Sequence, residues 1–448
     1  MHIQKYYQSK KGFTLIETVV AVGVLGMFFA AIAFILQQVL TNVAESRVRA
    51  TALSLGQTQM ETIRNLPYDD VGTVGGIPSG PLPQEEVKTI NSLDFTITTS
   101  IIYIDDPFDQ LTPADPVNND YKRVRVEVSW GGAFPSRVPV SLVTNIVPKG
   151  VETIGSGGTL YIQVFDANAQ PVSNATIHLE ASEVDPPVDT QTLTDTNGYV
   201  ILPGVAPCIS CYKISVTKSG YSTDRTYGTE EVANPLQPHM TVITGEISPV
   251  SFTIDRTSSV IVNTRGTQEA GYPVVTNVLF MLRGAKIIGY DALDDPVYKY
   301  SFSTNSGGGS VSIPALEWDT YTLDFSNSAH NLAGSNPLVP FALAPSTTLT
   351  INVVAVPKTN NSLLVAVKNA GDELQASASV QLTNTGLSYD QTKYTAATGS
   401  ADFGQVFFGS LSPTSYNLKI NQPGYLEATA SMTISGITQE VFTLNLVE

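Results

Sequence analysis

The chain has 448 residues, a length that normally folds as several domains rather than one. Only 14% of the residues are charged, whereas Gly (34) and Pro (27) are abundant, which favours many short strands joined by turns. The formal net charge of −16 excludes nucleic acid as a general partner, because a phosphate backbone is bound mainly through Lys and Arg. The two cysteines, Cys208 and Cys211, are typical of a chain that leaves the reducing cytoplasm.

The amino terminus combines a basic leader with an apolar segment. Lys5, Lys10 and Lys11 precede residues 19–36, which contain no charged side chain. An apolar stretch of about 18 residues nearly spans a bilayer as a helix, and the lysines keep the leader on the cytoplasmic side. We therefore predict a leader over residues 1–12, a single membrane span at about residues 19–36, and extracellular placement of everything beyond it.

The boundary between leader and apolar segment reads KKGFTLIE over residues 10–17. This string resembles the processing site of bacterial type IV prepilins. The resemblance implies that a prepilin peptidase cuts between Gly12 and Phe13, that the new amino group of Phe13 is methylated, and that the subunit joins a helical filament. The alternative is a plain signal anchor in which the string is accidental.

Glu17 lies one helical turn beyond Phe13, at the edge of the apolar run. A carboxylate in hydrocarbon costs roughly 2.5 kcal/mol or more unless a cation pairs with it. The obvious cation is the freed Phe13 amine of a neighbouring subunit. We therefore predict that Glu17 acts in assembly, where this pair would set the axial register of the packed helices.

A continuous stem helix is predicted over residues 13–66, because no proline interrupts them and Pro67 follows. Its second half is amphipathic. The apolar stripe of that half consists of Val48, Ala52, Leu55 and Ile63. Gly23, Gly26 and Gly56 either permit close packing of the helix or are simply tolerated, and the sequence leaves both interpretations open.

Three β-patterned runs follow the helix, at residues 85–104, 121–130 and 137–147. In the second run apolar and polar residues alternate, which is typical of a strand with one buried and one wet face. We predict that residues 67–150 form a small antiparallel sheet that covers the amphipathic half of the helix. The pilin resemblance implies the same arrangement.

The loop after the first run is rich in aspartate. Asp105, Asp106 and Asp109 are candidate Ca²⁺ ligands, because carboxylate oxygens suit this ion and some secretion-system relatives of pilins bind calcium in a loop. The acids lack a regular ligand spacing, and the prolines among them are typical of a solvated turn. The favoured interpretation is therefore a loop without metal.

A repeat of about 100 residues begins after residue 155, with first strands that start at Leu160, Val260 and Leu363. The first and third copies share a Gly-Tyr pair that the middle copy lacks. The copies resemble carboxypeptidase regulatory-like and collagen-adhesin B-type repeats, which are Ig-like sandwiches. We predict modules at residues 151–250, 251–357 and 358–448. The predicted fold class is α+β: a long membrane and stem helix with a small antiparallel sheet, then tandem all-β sandwiches.

Collagen-adhesin repeats often hold a Lys–Asn isopeptide bond that a Glu in a YxLxE segment promotes. The third copy offers Lys368, but Ile420 stands where the Glu is needed, and Val216 stands there in the first copy. We predict no such crosslink. For Cys208 and Cys211, one CxxC is half a zinc site, so a local disulfide in the loop between two strands is favoured, with a free dithiol and a metal as alternatives.

No catalytic constellation is visible. The histidines, His2, His178, His239 and His330, are scattered, and none has a ligand partner at helical spacing. We predict no enzyme activity, no cofactor and no metal. Five aromatic residues of the middle module are candidates for stacking on a sugar, although such residues more often line a core. They are Tyr290, Tyr298, Tyr300, Trp318 and Tyr321.

The leading hypothesis is a structural subunit of a type IV pilus-like surface filament, a minor one because several domains would crowd a tight helical array. Its β modules would project for adhesion to an extracellular surface or a glycan. The predicted partners are prepilin peptidase, other pilin subunits and, before assembly, the inner membrane. The alternatives are a pseudopilin of a secretion machine and a membrane-anchored carbohydrate-binding surface protein.

Overall fold

A computed structural model of the chain describes residues 15–106, 119–132, 135–136, 138–148 and 157–447. For Glu17, Thr18 and Ala21 it describes the backbone alone. The chain divides into two compact units, Met1–Ile154 and Gly155–Glu448. A long amino-terminal helix is followed by many antiparallel sheets, which confirms the predicted fold class.

The helix, α1, runs over Leu15–Arg64 and has 50 residues. Its first half exposes apolar side chains, with Phe28 61% and Leu36 60% exposed. Its second half packs on the sheet of the first unit, where Ala52 and Ile63 are fully buried. This contact confirms the predicted apolar stripe. The two halves of one helix therefore meet very different surroundings.

The first unit contains a four-stranded antiparallel sheet in the order β1-β2-β3-β4. The strands are β1 (Glu85–Ile90), β2 (Leu93–Ile104), β3 (Tyr121–Trp130) and β4 (Val140–Ile146). The predicted single run at residues 85–104 is wrong, because it is a hairpin. Asn91 and Ser92 have φ values of 52° and 62°, the left-handed conformation that a two-residue hairpin turn requires. The turn was missed because neither residue is glycine.

The core of the first unit lies between α1 and one face of this sheet. Val124, Val126 and Val128 of β3 are fully buried, and Trp130 is 6% exposed, so the alternation predicted for this strand is confirmed. Phe95 and Trp130 pack with ring centroids 6.3 Å apart. The large apolar side chains of β2 and β3 thus complete the core that the helix begins.

Gly56 lies where α1 contacts the sheet. A Cβ at this position would lie 3.0 Å from Leu142 Cδ1 and 3.5 Å from Val128 Cγ2. At Gly23 and Gly26, by contrast, a Cβ would meet nothing within 4 Å. Of the two interpretations of the helix glycines, close packing and simple tolerance, close packing therefore applies to Gly56 within this unit.

The second unit contains three successive groups of strands. The first is β5 (Gly158–Phe165), β6 (Thr176–Ala181), β7 (Val188–Leu193), β8 (Tyr199–Val205), β9 (Cys208–Thr217), β10 (Asp224–Arg225), β11 (Asn234–Pro235), β12 (Met240–Val242) and β13 (Ile247–Thr253). The second is β14 (Ser258–Arg265), β15 (Leu279–Gly284), β16 (Ile287–Tyr290), β17 (Pro296–Tyr298), β18 (Ser301–Asn305), β19 (Ser310–Leu316), β20 (Asp319–Asp324), β21 (His330–Asn336), β22 (Phe341–Leu343) and β23 (Thr348–Pro357). The third is β24 (Ser362–Asn369), β25 (Ser379–Asn384), β26 (Tyr389–Tyr394), β27 (Gln405–Phe408), β28 (Ser415–Asn421), β29 (Ala428–Thr433) and β30 (Ile437–Leu444).

Each group, which we call modules 1, 2 and 3, follows one pairing scheme. The first long strand pairs in parallel with the last, β5 with β13, β14 with β23 and β24 with β30. A second sheet has the equivalents of β6 and β9 at its centre. Module 2 keeps this scheme without the Gly-Tyr pair of its neighbours. Strand β13 continues past residue 250, where the sequence placed the end of its module.

One tyrosine occupies the same place in each module, near the start of β9, β20 and β28. Tyr212, Tyr321 and Tyr416 are at most 2% exposed. The Tyr212 hydroxyl donates to Ala206 O at 2.6 Å, and the Tyr321 hydroxyl donates to Glu317 O at 2.9 Å. The Tyr416 hydroxyl accepts from Ser412 N at 3.1 Å. Each ring thus fills the core while its hydroxyl group forms a hydrogen bond to the backbone of the preceding loop.

We expect Gly56→Leu to destabilise the first unit by about 1–3 kcal/mol, because the added side chain overpacks the contact with Leu142 and Val128. Gly26→Leu is the matched control and should leave this unit unchanged. The measurement is urea unfolding of the full chain in detergent, followed by Trp130 fluorescence in a Trp318→Phe background. Equal unfolding midpoints for the two variants would contradict the close packing at Gly56.

Candidate functional site

The predicted processing and assembly residues lie at the start of α1. Gly12 and Phe13 fall outside the described residues. The described part of α1 starts at Leu15, and Glu17 lies two residues further along it. The first described side chains, Leu15 and Ile16, are 84% and 72% exposed. The backbone at Glu17 is therefore helical. Its pairing role stays a prediction.

The apolar surface continues along the helix. α1 is long and apolar enough to cross a membrane, and its most apolar window is not buried by any part of the described chain. Phe28 and Phe29 are both 61% exposed. Beyond residue 43 charged side chains appear on the exposed face. The surface available for insertion or helix packing is therefore confined to the first half of α1.

The acidic loop of the first unit is described at its two ends. Asp105 and Asp106 follow β2, Asp120 precedes β3, and Asp109 lies outside the described residues. The backbone N–H of Asp106 donates to Asp120 Oδ2 at 2.5 Å, and Asp120 is 8% exposed. The β2–β3 register thus brings three acids together. The calcium hypothesis stays a prediction.

A buried lysine lies beside this loop, on the core face of β3. Lys122 is 2% exposed, and its Nζ donates to Tyr68 O at 2.8 Å and lies 4.5 Å from the Tyr68 ring centroid. Burial lowers the pKa of Lys122 to about 8, although Asp69 and Asp70 oppose this shift. The amine joins the turn after α1 to the sheet. The sequence pattern missed it, since lysine normally occupies the wet face of a strand.

The two cysteines lie within β9 rather than in the loop before it. Their sulfur atoms are placed as a disulfide, with Cα atoms 6.0 Å apart, and Cys211 is 6% exposed. Between them Ser210 has a φ of 52°, and its N–H donates to Thr241 Oγ1 at 2.9 Å. The disulfide therefore constrains the irregular first residues of β9, which pair with β12.

The candidate sugar-binding aromatic residues do not share one exposed face. Tyr321 is fully buried, and Tyr300 packs edge-on against it with centroids 5.8 Å apart. Lys286 Nζ lies 3.4 Å from the centroid of Trp318, and the Arg283 guanidinium lies 4.3 Å from the centroid of Tyr298. Core burial and cation–π contacts thus occupy four of the five rings.

An ion network joins modules 1 and 2. Lys299 Nζ lies 2.9 Å from Glu317 and 3.3 Å from Asp224 of module 1, and Lys286 Nζ lies 2.6 Å from Glu317. Burial alone would lower the pKa of Lys299, but Asp224 and Glu317 outweigh it and raise that pKa. Burial lowers the pKa of Lys286 despite its bond to Glu317. Glu317 therefore forms ion pairs with two lysines in one partly buried joint.

A hydrogen-bonded joint connects modules 2 and 3. Gln405 is 1% exposed, and its amide both donates to Ser335 O at 2.7 Å and accepts from Ser335 N at 3.2 Å. The Tyr272 hydroxyl donates to Asp402 Oδ1 at 2.5 Å. Both joints were missed from the sequence, because the Lys299–Asp224, Gln405–Ser335 and Tyr272–Asp402 contacts across the module boundaries join residues at least 70 positions apart.

One comparison with known protein families matches the amino terminus. Residues 7–33 match a family model described as the prokaryotic N-terminal methylation motif. This match covers the predicted cleavage site and Glu17. The chain therefore carries a prepilin-type motif, which implies processing by a prepilin peptidase and assembly with other pilin subunits. No curated protein matches the chain.

Solved structures resemble parts of the chain. The Bacillus anthracis TIE protein is 12% identical, with 82% of this chain and 73% of that chain covered, at a TM-score of 0.19. The minor pilin of Streptococcus agalactiae is 13% identical, with 43% and 97% covered, at 0.17. The shaft pilin of Lactobacillus rhamnosus GG is 12% identical, with 43% and 98% covered, at 0.16. Likenesses at this level do not define a function.

The free energy of unfolding of the first unit should rise as the pH increases from about 8 to 10.5. The lower limit is the pKa of Lys122 in the folded chain, and the upper limit is its ordinary pKa. In this window the unfolded chain binds the proton that the folded chain has lost, so folding is favoured as pH increases. The expected gain is about 2–3 kcal/mol. Urea unfolding followed by Trp130 fluorescence in a Trp318→Phe background measures it. Lys122→Met should abolish the rise, whereas Lys88→Met should keep it. A rise that persists in Lys122→Met would contradict its assignment to Lys122.

Glu317→Gln should destabilise the second unit by about 3 kcal/mol, because it leaves two partly buried lysines without their shared carboxylate. Glu427→Gln breaks the Lys419–Glu427 pair, which is 51% and 42% exposed, and should cost less than about 1 kcal/mol. Trp318 fluorescence in a Trp130→Phe background reports both variants. If Glu317→Gln lost less free energy of unfolding than Glu427→Gln, the described ion network would be contradicted.

Proposed function

We propose that the chain is a structural subunit of a type IV pilus-like surface filament that assembles through α1. The observation that carries the proposal is the methylation motif at residues 7–33, placed where an exposed apolar helix begins. A motif of this kind without such a helix would have nothing to assemble, and a helix without the motif would be an ordinary anchor. Their combination supports a subunit that is held in the membrane and then polymerised.

The chemistry of assembly follows from residues 12–17. Cleavage after Gly12 frees the amine of Phe13, which remains cationic after methylation. Glu17 lies four residues further along the chain, in the described part of α1. A carboxylate there is unfavourable in hydrocarbon without a cation. The amine of an adjacent subunit supplies that cation, so each added subunit removes an uncompensated charge from the growing filament and is placed in register.

Transfer from bilayer to filament leaves the apolar half of α1 in apolar surroundings. Neighbouring helices are as apolar as lipid, so packing and small residues decide the contacts. Gly23 and Gly26 lie on this half, and a Cβ added at either would meet nothing within 4 Å. We assign them to close approach between subunits. The second half of α1 keeps its own sheet and carries the rest of the chain outward.

The three modules form the projecting part, and we propose that they act in adhesion. The buried tyrosines that tie down preceding loops support Ig-like sandwiches of the kind found in carboxypeptidase regulatory-like and collagen-adhesin repeats. The joints at Glu317 and Gln405 support a stalk of linked modules rather than beads on flexible linkers. Because so bulky a subunit would crowd a tight array, we propose a minor subunit, and no enzyme activity is proposed.

Two other functions share the anchor. A secretion-machine pseudopilin needs the same leader and helix, but it does not explain three tandem modules. A carbohydrate-binding surface protein needs an exposed aromatic platform, whereas four of the five candidate rings are covered. Glycan-array binding by the full chain would favour carbohydrate recognition over the filament stalk.

Surface-sheared material should yield a chain that begins with N-methylated Phe13. Amino-terminal mass spectrometry measures this directly, since cleavage removes residues 1–12 and methylation adds a defined mass. Gly12→Phe should be retained as the uncleaved chain, because a bulky side chain then stands beside the predicted cut. An intact Met1 on assembled wild-type subunits would reject the proposed processing.

Glu17→Ala should prevent the subunit from entering filaments while leaving membrane insertion intact, because it removes the partner of the Phe13 amine. Glu45→Ala is the matched control, since Glu45 is an exposed acid on the same helix beyond the apolar half. Immunogold counting of subunits along sheared fibres compares the variants. If Glu17→Ala entered filaments as often as wild type does, the assembly model would lose its basis. Uniform dense labelling of filaments that contain the wild-type subunit would argue against a minor role.

A further inference from the structure

A mixed cluster of metal-ligand side chains lies on the outer face of module 1. His178 and Glu180 of β6 and Asp189 of β7 each offer one ligand atom, and these atoms all lie within 4.8 Å of one another. His178 Nε2 lies 2.8 Å from Asp189 Oδ1 and 3.6 Å from Glu180 Oε1. Their side chains are 31%, 49% and 75% exposed in the order His178, Glu180, Asp189.

The strand register fixes this geometry. Glu180 is paired directly with Asp189, and His178 lies two residues before Glu180 on the same outward face. Directly opposed residues in an antiparallel pair have Cβ atoms about 4.5–5.5 Å apart, and like charges in such a pair are destabilising. Lys213 of β9 lies opposite Glu180 on the other side of β6, so it does not separate the two carboxylates.

We propose that His178, Glu180 and Asp189 bind a divalent transition-metal ion of the Zn²⁺ class. Zn²⁺ takes imidazole nitrogen and carboxylate oxygen ligands at about 2.0–2.2 Å, which requires ligand atoms roughly 3.3–3.5 Å apart in a tetrahedron. The observed separations bracket this value, so small side-chain rotations complete the site. Imidazole beside two carboxylates favours Zn²⁺ over Ca²⁺, which prefers six or more oxygens.

The ion would relieve the opposition of Glu180 and Asp189 by lying between them. Three protein ligands leave a fourth position, which faces solvent because β7 is the outer strand of its sheet and Asp189 is strongly exposed. A water or a donor group from another molecule completes the tetrahedron there. The site is independent of α1 and of the proposed filament function.

Zn²⁺ alone is the probe. The full chain in detergent is titrated with Zn²⁺ in competition with a chromophoric chelator. Wild type should bind one equivalent of Zn²⁺, and the affinity of His178→Gln for this ion should be weaker by about tenfold or more. His239→Gln is the matched control and should bind as wild type does. Equal binding by wild type and His178→Gln would overturn the proposal.

Two further measurements exclude a folding artefact. Glu180→Gln removes one of the opposed charges, so it should unfold no earlier than wild type without metal and yet lose the response to Zn²⁺. Hydrogen exchange should slow in peptides from β6 and β7 on Zn²⁺ addition in wild type and not in Glu180→Gln. Protection elsewhere but not in these two strands, or none at all, would show that His178 serves only as an ion-pair partner and would refute the site.

Discussion

The whole molecule depends on one constraint: the first half of α1 exposes an apolar surface that cannot remain in water. The second half satisfies the same hydrophobic requirement within the chain, because Ala52 and Ile63 are buried against the sheet. The first half has no such cover among the described residues, with Phe28 and Phe29 both 61% exposed. A membrane or the helices of other molecules must provide it. Everything that follows in the chain is therefore carried on a helix that needs other molecules to be stable.

Features that depend on neighbours in the sequence could be predicted well. The apolar run, the basic leader and the KKGFTLIE boundary are all local, and the stripe through Val48 and Ile63 follows from helical periodicity. The alternation in β3 and the repeat of about 100 residues likewise need only the order of residues. For this reason the amino-acid sequence alone is enough to predict the helix, the sheet that covers it and the series of β modules.

Features that depend on distant residues could not be predicted. Lys122 breaks the polar alternation of β3 because its partner, Tyr68 O, belongs to the turn after the helix. Lys299 and Gln405 form contacts across module boundaries. The hairpin at Asn91 uses two non-glycine residues in a left-handed conformation. His178 lacked a ligand at helical spacing, but its carboxylates lie at strand spacing and across a register that only the folded sheet defines.

The parallel pairing of first and last strands has a mechanical consequence. The chain enters a module at the start of β5, β14 or β24 and leaves it at the end of β13, β23 or β30, and each pair runs in the same direction side by side. Tension along the polypeptide therefore slides these two strands past each other in shear, so their hydrogen bonds must yield together rather than one after another. Strands paired in this way resist a pulling force far better than strands that peel apart from one end.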